Sequence, residues 1–328
     1  MPALLLVPAL LAHPPDALAR TSLAMIGRFA PDPRVDGEGI EAALCAACAI
    51  PLTTPPAPIA ALGTGIGFGT DVIACADPIT LVVGHNDVVI AGRVDDLSDE
   101  HAAQLAATLN RHFADEGLTF VAARNDRWFV HGHGLPPLDA ASLARAQRPP
   151  LRDHLPRGEG GKLWNRWQNE IQMLLHDHAI NRGRAERGLP PVNGMWFWGA
   201  GRGADWRGAE IATAAITPGR DGDLACGFAQ RAAAGPAPLP SRWSQLALAP
   251  SGLTLVALPD QRAADLAMLE RDWLAPAAAA MLSGAIDALT LVSDGHGAAV
   301  TWRSRRPGAV TRVIASLVTP PFVVPPPA

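Results

Sequence analysis

Between His176 and Gly201 the chain reads HDHAINRGRAERGLPPVNGMWFWGAG, with arginines at 182, 184 and 187. Arg202 follows, and Arg93 ends an earlier apolar run. A guanidinium makes two parallel N–H bonds at once, which suits phosphate and carboxylate. If the preceding helix ends near Asn181, these arginines fall on a turn that folds over a cleft and holds phosphate; the same run also reads as a solvated basic turn. Upstream, Asn165, Asn169, Gln172 and His176 form a polar, uncharged stripe at helical spacing. That stripe is either a solvated face or a line of amides bonding within a cleft. Asp294 and His296 close an apolar run, where α/β sheets carry their sites, and the pair suits zinc or manganese. A glycine-rich turn, Ser293-Asp294-Gly295-His296-Gly297, accounts for the same residues. His131 and His133 sit two apart at a strand end and share a face without a third ligand, whereas His176 and His178 diverge on a helix. Trp164, Trp167, Trp196 and Trp198 either stack a planar ligand or pack in a core with the indole N–H satisfied.

These side chains need elements to hold them. Ile79–Val83 and Val88–Ala91 read as a hairpin around Gly84-His85-Asn86-Asp87. Ser98 caps a helix whose buried face carries Leu105, Leu109 and Phe113 and which Gly117 ends. Leu118–Ala122 and Trp128–His131 form a second hairpin. This β-β-α-β-β order implies an antiparallel sheet backed by a helix. A helix follows over Lys162–His178, and Met195–Trp198 is a strand. Leu4–Val7, Leu253–Leu258 and Ala288–Val292 are strands apolar throughout, which implies a sheet covered on both faces. Gln261–Leu282 is helical in composition, and the tail from Pro320 is proline-rich. The expected architecture is an α/β core built from residues 1–75 and 192–328, with a smaller α+β domain inserted at 76–191.

Composition excludes several classes. The 328 residues are 48% hydrophobic and 18% charged, a globular balance, and a net charge of −4 provides no field for nucleic acid or anionic lipid. Lys162 is the only lysine, so arginine carries nearly all positive charge. Cys45 and Cys48 form a C-x-x-C on an Ala-rich stretch with no second pair, so buried small residues are expected in place of a zinc site. Four cysteines suit a reducing cytoplasm. Pro2–Ala12 is apolar but no Lys or Arg precedes it, so a first strand is expected there instead of a signal peptide, and no membrane association is expected. The glycines at 63, 65, 67 and 69 miss both G-x-G-x-x-G and the P-loop spacing.

The stretch Trp164–Gly201 resembles the bacterial regulatory protein RpfE family. The resemblance rests on Asn-Glu-Ile-Gln-Met-Leu-Leu-His at Asn169–His176 and on Asn-x-x-Arg-x-x-x-Gly-Leu-Pro-Pro-Val-Asn-Gly-x-Trp-Phe-Trp-Gly at Asn181–Gly199. Arg127-Trp128 and Leu155-Pro156 fit the same pattern. The segment is also similar, more distantly, to the archaeal-type cofactor-independent phosphoglycerate mutases, as are Gly39-Ile40-Glu41-Ala42-Ala43 and Gly92-Arg93-Val94-Asp95. That likeness implies an alkaline-phosphatase-like sheet core with an inserted phosphosugar-binding domain. It places Arg93, Asn169, His176, Asn181, Arg182, Arg184 and Arg187 around a phosphate.

The chain departs from the mutase pattern where metal should sit. Val7-Pro8-Ala9 offers no ligand after the first strand, Ser22 is the nearest stand-in for the nucleophile, and Asp260 is followed by Gln261-Arg262 with no histidine. At most Asp260, Asp294 and His296 remain, whereas a two-metal site needs several ligands and a nucleophile. The expectation is a mutase-like protein that has lost catalysis and needs no cofactor. It would act by binding a phosphorylated metabolite or a protein partner in a regulatory role. The alternatives are an active phosphomutase or phosphatase using manganese or zinc, and a plain protein-interaction module.

Overall fold

A computed structural model describes residues 1–308 except 31, 52, 85–86, 204–207 and 296–297. The described residues of Met1–Leu52 with Arg207–Ala328 form one compact unit, and those of Thr53–Trp206 form another.

The first unit is built on a seven-stranded sheet in the order β2-β12-β11-β1-β10-β8-β9. The strands are β1 (Pro2–Val7), β2 (Arg34–Asp36), β8 (Ile211–Ile216), β9 (Ala237–Pro238), β10 (Leu253–Ala257), β11 (Ala288–Gly295) and β12 (Ala298–Arg305). From β11 to β9 all pairings are parallel, while β12 and β2 are added antiparallel at one edge. Leu4, Leu5, Leu6 and Val7 are fully buried, as the unbroken apolar run requires of a strand covered on both faces. The unit's longer helices are Ser22–Arg28, Ile40–Ala47, Arg220–Arg231 and, after the π turn Glu270–Leu274, Ala275–Ser283. Cys45 and Cys48 are buried thiols, both pushed far above the ordinary range by burial, Cys45 to about 12. They are packing residues, as expected.

The second unit holds a five-stranded antiparallel sheet of β3 (Val72–Val83), β4 (Val88–Arg93), β5 (Thr119–Arg124), β6 (Arg127–Gly132) and β7 (Gly194–Gly201). The helix Asp99–His112 carries Ala102, Leu105, Ala106 and Leu109 into its core, and Ser98 Oγ accepts from His101 N. The β-β-α-β-β order is present as read from sequence. The expected domain limits of 76 and 191 are not the limits of the compact units. β3 begins at Val72, and β7, assigned from its apolar run to the first sheet, pairs with β3 instead. A fully apolar strand does not announce its partner, and this run is buried on both faces by Trp and Phe packing within the second unit.

The long helix runs Gly161–His176, shorter than expected. His178 then caps a separate helix, Ala179–Glu186, with Nδ1 accepting from Ile180 N at 3.3 Å. Arg182 and Arg184 therefore lie on a helix of their own and not on a turn.

Candidate functional site

The arginines do not converge. Arg184 is buried, with Nε donating to Pro190 O at 2.7 Å and Nη2 to Asp96 Oδ1 at 2.8 Å. Arg182 Nη1 donates to Asp177 O at 2.5 Å and Arg187 Nε to Gly183 O at 3.0 Å, both on the surface. Arg93 lies 3.3 Å from Asp95 at the end of β4. Arg202 Nη1 donates to Thr70 O. Each guanidinium closes a local backbone or carboxylate contact.

Asn181 is likewise structural. Its Nδ2 donates to Leu175 O at 2.7 Å and Val192 O at 2.8 Å, and its Oδ1 accepts from Val192 N at 2.8 Å. One buried carboxamide thus joins the end of the long helix to the segment that becomes β7. The tryptophans are core residues with satisfied indoles. Trp164 donates to Pro136 O, Trp167 to Glu116, Trp196 to Ala141 O and Trp198 to Asp77, and none is more than 4% exposed.

The polar stripe divides. Asn165 Nδ2 donates to Pro156 O at 3.1 Å, and His176 lies on the surface with 72% of its side chain exposed. Asn169 and Gln172, joined by Gln168, face a cleft of about 460 Å³ within the second unit. Leu81, Val82, Val83, Asp87 and Val88 of the β3–β4 hairpin line it too, as do Asn193, Gly194 and Met195 at the start of β7. Asn193 acts as a strand extension. Its Oδ1 accepts from Leu81 N at 2.6 Å and its Nδ2 donates to Leu81 O at 2.9 Å. Among the described residues, the lining carries one cation, Arg152, and one carboxylate, Asp87. Gln168 Nε2 is buried in this wall with no hydrogen-bond partner among the described residues. The stripe read from the sequence held Asn169 and Gln172 but left out Gln168, one turn before Gln172 on the same helix, and Asn193, which the approach to β7 brings in.

The carboxylates of the first unit gather at the C-terminal edge of its parallel strands. Asp294 ends β11, Asp260 follows β10, Asp221 opens the helix after β8, and Glu41 opens Ile40–Ala47. Burial pushes the Asp294 carboxyl up to about 7; the Ala9 N–H opposes this, and Asp221, Glu41 and Asp260 add to it. Ala9 N donates to Asp294 Oδ1 at 2.6 Å. Asp260 is exposed, its Oδ1 accepting from Arg262 N at 2.7 Å. His296 lies outside the described residues. Ser22 Oγ donates to Glu270 Oε1 at 2.6 Å, tying the start of a helix to the π turn. A β-carbon at Gly295 would sit 2.5 Å from the Leu11 carbonyl carbon, so packing alone demands a glycine there.

These residues do not fit a two-metal phosphoryl-transfer centre. After β1 there is no carboxylate, one Asp294 oxygen is already committed to Ala9, and among the described residues no three His, Cys, Asp or Glu side chains are arranged to hold a metal. Among the described residues, no helix is long and apolar enough to cross a membrane.

Known proteins enter at this point. The family model for 2,3-bisphosphoglycerate-independent phosphoglycerate mutase matches residues 53–181, less than half of the chain. The mutase of Methanothrix thermoacetophila is 40% identical over 52 residues, 16% of this chain and 13% of that protein. The mutase of Methanosarcina barkeri is 27% identical over 153 residues, 44% of this chain and 36% of that protein. The matched stretches thus span about a third of these relatives or less. Among solved structures, the cofactor-independent phosphoglycerate mutase of Thermoplasma acidophilum aligns with a TM-score of 0.41 and 16% identity, covering 92% of this chain and 89% of its own. A Pyrococcus horikoshii protein aligns with a TM-score of 0.48 and 13% identity, covering 93% and 87%. The chain is distantly similar to the cofactor-independent phosphoglycerate mutases, and the family-model match falls within the unit that holds the amide-lined cleft.

Proposed function

We propose that this chain is a phosphoglycerate-mutase-like binding protein that does not catalyse phosphoryl transfer, and that its ligand seats in the cleft of the Thr53–Trp206 unit. The observation that carries this reading is Gln168 Nε2, buried in the cleft wall beside Asn169 and Gln172 with no partner among the described residues. A buried amide donor left unpaired costs about 1–3 kcal/mol, which a bound acceptor would recover. Carboxamides offer donors and acceptors without charge. Among the described residues that line it Arg152 is the one cation, so the cleft suits the amides and hydroxyls of a protein segment better than a doubly charged phosphate. A regulatory role, as in RpfE-type proteins, and an alkaline-phosphatase-like ancestry of the core belong to the same proposal. So does the absence of a manganese or zinc requirement.

Affinity capture with the full chain tests it. Wild type is expected to retain a partner that Asn169→Leu and Gln172→Leu both lose, with all three proteins melting alike. Calorimetric titration with 3-phosphoglycerate is expected to show no saturable heat. Saturable heat that the same variants abolish moves the ligand from a protein to a phosphorylated metabolite. Retention unchanged in both variants removes the cleft from the account.

A further inference from the structure

β6 ends at Gly132, between His131 and His133, and both imidazoles reach one carboxylate. Asp71 Oδ2 accepts from His131 Nδ1 at 2.8 Å, and its Oδ1 accepts from His133 Nδ1. An ionised carboxylate only accepts, so each Nδ1 carries a proton. In a neutral imidazole the lone pair then sits on Nε2 in both rings. That is the tautomer of a metal-binding histidine, with Nδ1–H on a carboxylate and Nε2 on the ion. The rings are also braced. Phe68 packs on His131 with ring centres 4.8 Å apart, and Asp71 N donates to Phe68 O at 3.1 Å, which fixes the loop that carries the carboxylate. Solvent reaches the pair, since 21% of the His131 side chain and 85% of the His133 side chain are exposed.

We propose that His131 and His133 bind one divalent first-row transition ion through Nε2, with Asp71 orienting both rings from behind and solvent completing the coordination. Among the described residues no group of three His, Cys, Asp or Glu is arranged to hold a metal, so the two imidazoles would be the ion's protein ligands. Imidazole pairs favour copper and nickel over zinc, in the order set by ligand-field strength. The site shares no residue with the cleft.

Titration calorimetry of the full chain, free of any affinity tag, with nickel and zinc salts at neutral pH provides the test. One nickel ion per chain is expected, bound more tightly than zinc. His133→Ala, at an exposed position that packing does not depend on, is expected to abolish it. Asp71→Asn is expected to weaken it by roughly 10–100-fold, the usual cost of losing the group that orients a ligating histidine. His101→Ala should bind like wild type. Absence of saturable uptake by wild type, or uptake unchanged in both His131→Ala and His133→Ala, overturns the proposal.

Discussion

At Asp294, burial and hydrogen bonding act in opposite directions. Burial raises its carboxyl to about 7 despite the Ala9 N–H, so the folded chain keeps a proton that the unfolded chain releases near pH 4. Folding stability therefore falls as pH rises from about 4 to 7 and levels off above that. Three pKa units set a ceiling of about 4 kcal/mol, reduced by the water that reaches this partly exposed side chain. Asp294→Asn keeps an acceptor for Ala9 and removes the charge. It should flatten that slope and raise stability at pH 8 by about 2 kcal/mol, read from urea midpoints across pH. Ala9 holds φ 57°, in the left-handed region that costs a residue with a β-carbon about 1–2 kcal/mol. Ala9→Gly should stabilise by about 1 kcal/mol in the same assay, and destabilisation would show that the Ala9 methyl packs more favourably than the strain costs.

Single helices and strands carry the next set of consequences. The carboxamide of Asn181 serves three backbone groups at once, so Asn181→Leu should cost about 3 kcal/mol and separate the Ala179–Glu186 helix from the approach to β7. Hydrogen exchange at Val192 N should accelerate with it; an unchanged midpoint would mean that water replaces the side chain. The same elements show what sequence can carry. The period of Leu105, Leu109 and Phe113 and the cap at Ser98 were legible because local spacing and a side-chain acceptor define them. The break after His176 was not, since His178 continues the apolar spacing while its Nδ1 starts a new helix. β8 and β12 escaped notice because their small or mixed residues lack a strong apolar run and gain their burial from neighbouring strands. Asn169 and Gln172 could be picked out as unusual, but the hairpin and the Asn193 strand extension that make their surroundings a cleft depend on contacts across a hundred residues.

Across the whole chain, two stretches far apart in sequence supply one sheet, and the residues between them supply another. Apolar strands at both ends made the first legible, and the β-β-α-β-β order made the second. The assignment of β7 failed because an apolar strand fits either sheet until its pairing is known. The arginine run looked like a phosphate cradle for a similar reason. Its spacing is visible in sequence, but whether each guanidinium faces a ligand or its own backbone is decided by packing. The central claim is that a mutase-like chain binds without turning over phosphoglycerate. The most direct test is the interconversion of 3- and 2-phosphoglycerate by the purified full chain with manganese, zinc or magnesium added. No turnover above the protein-free rate is expected with any of the three ions. Metal-dependent turnover that Asp294→Ala abolishes would contradict it.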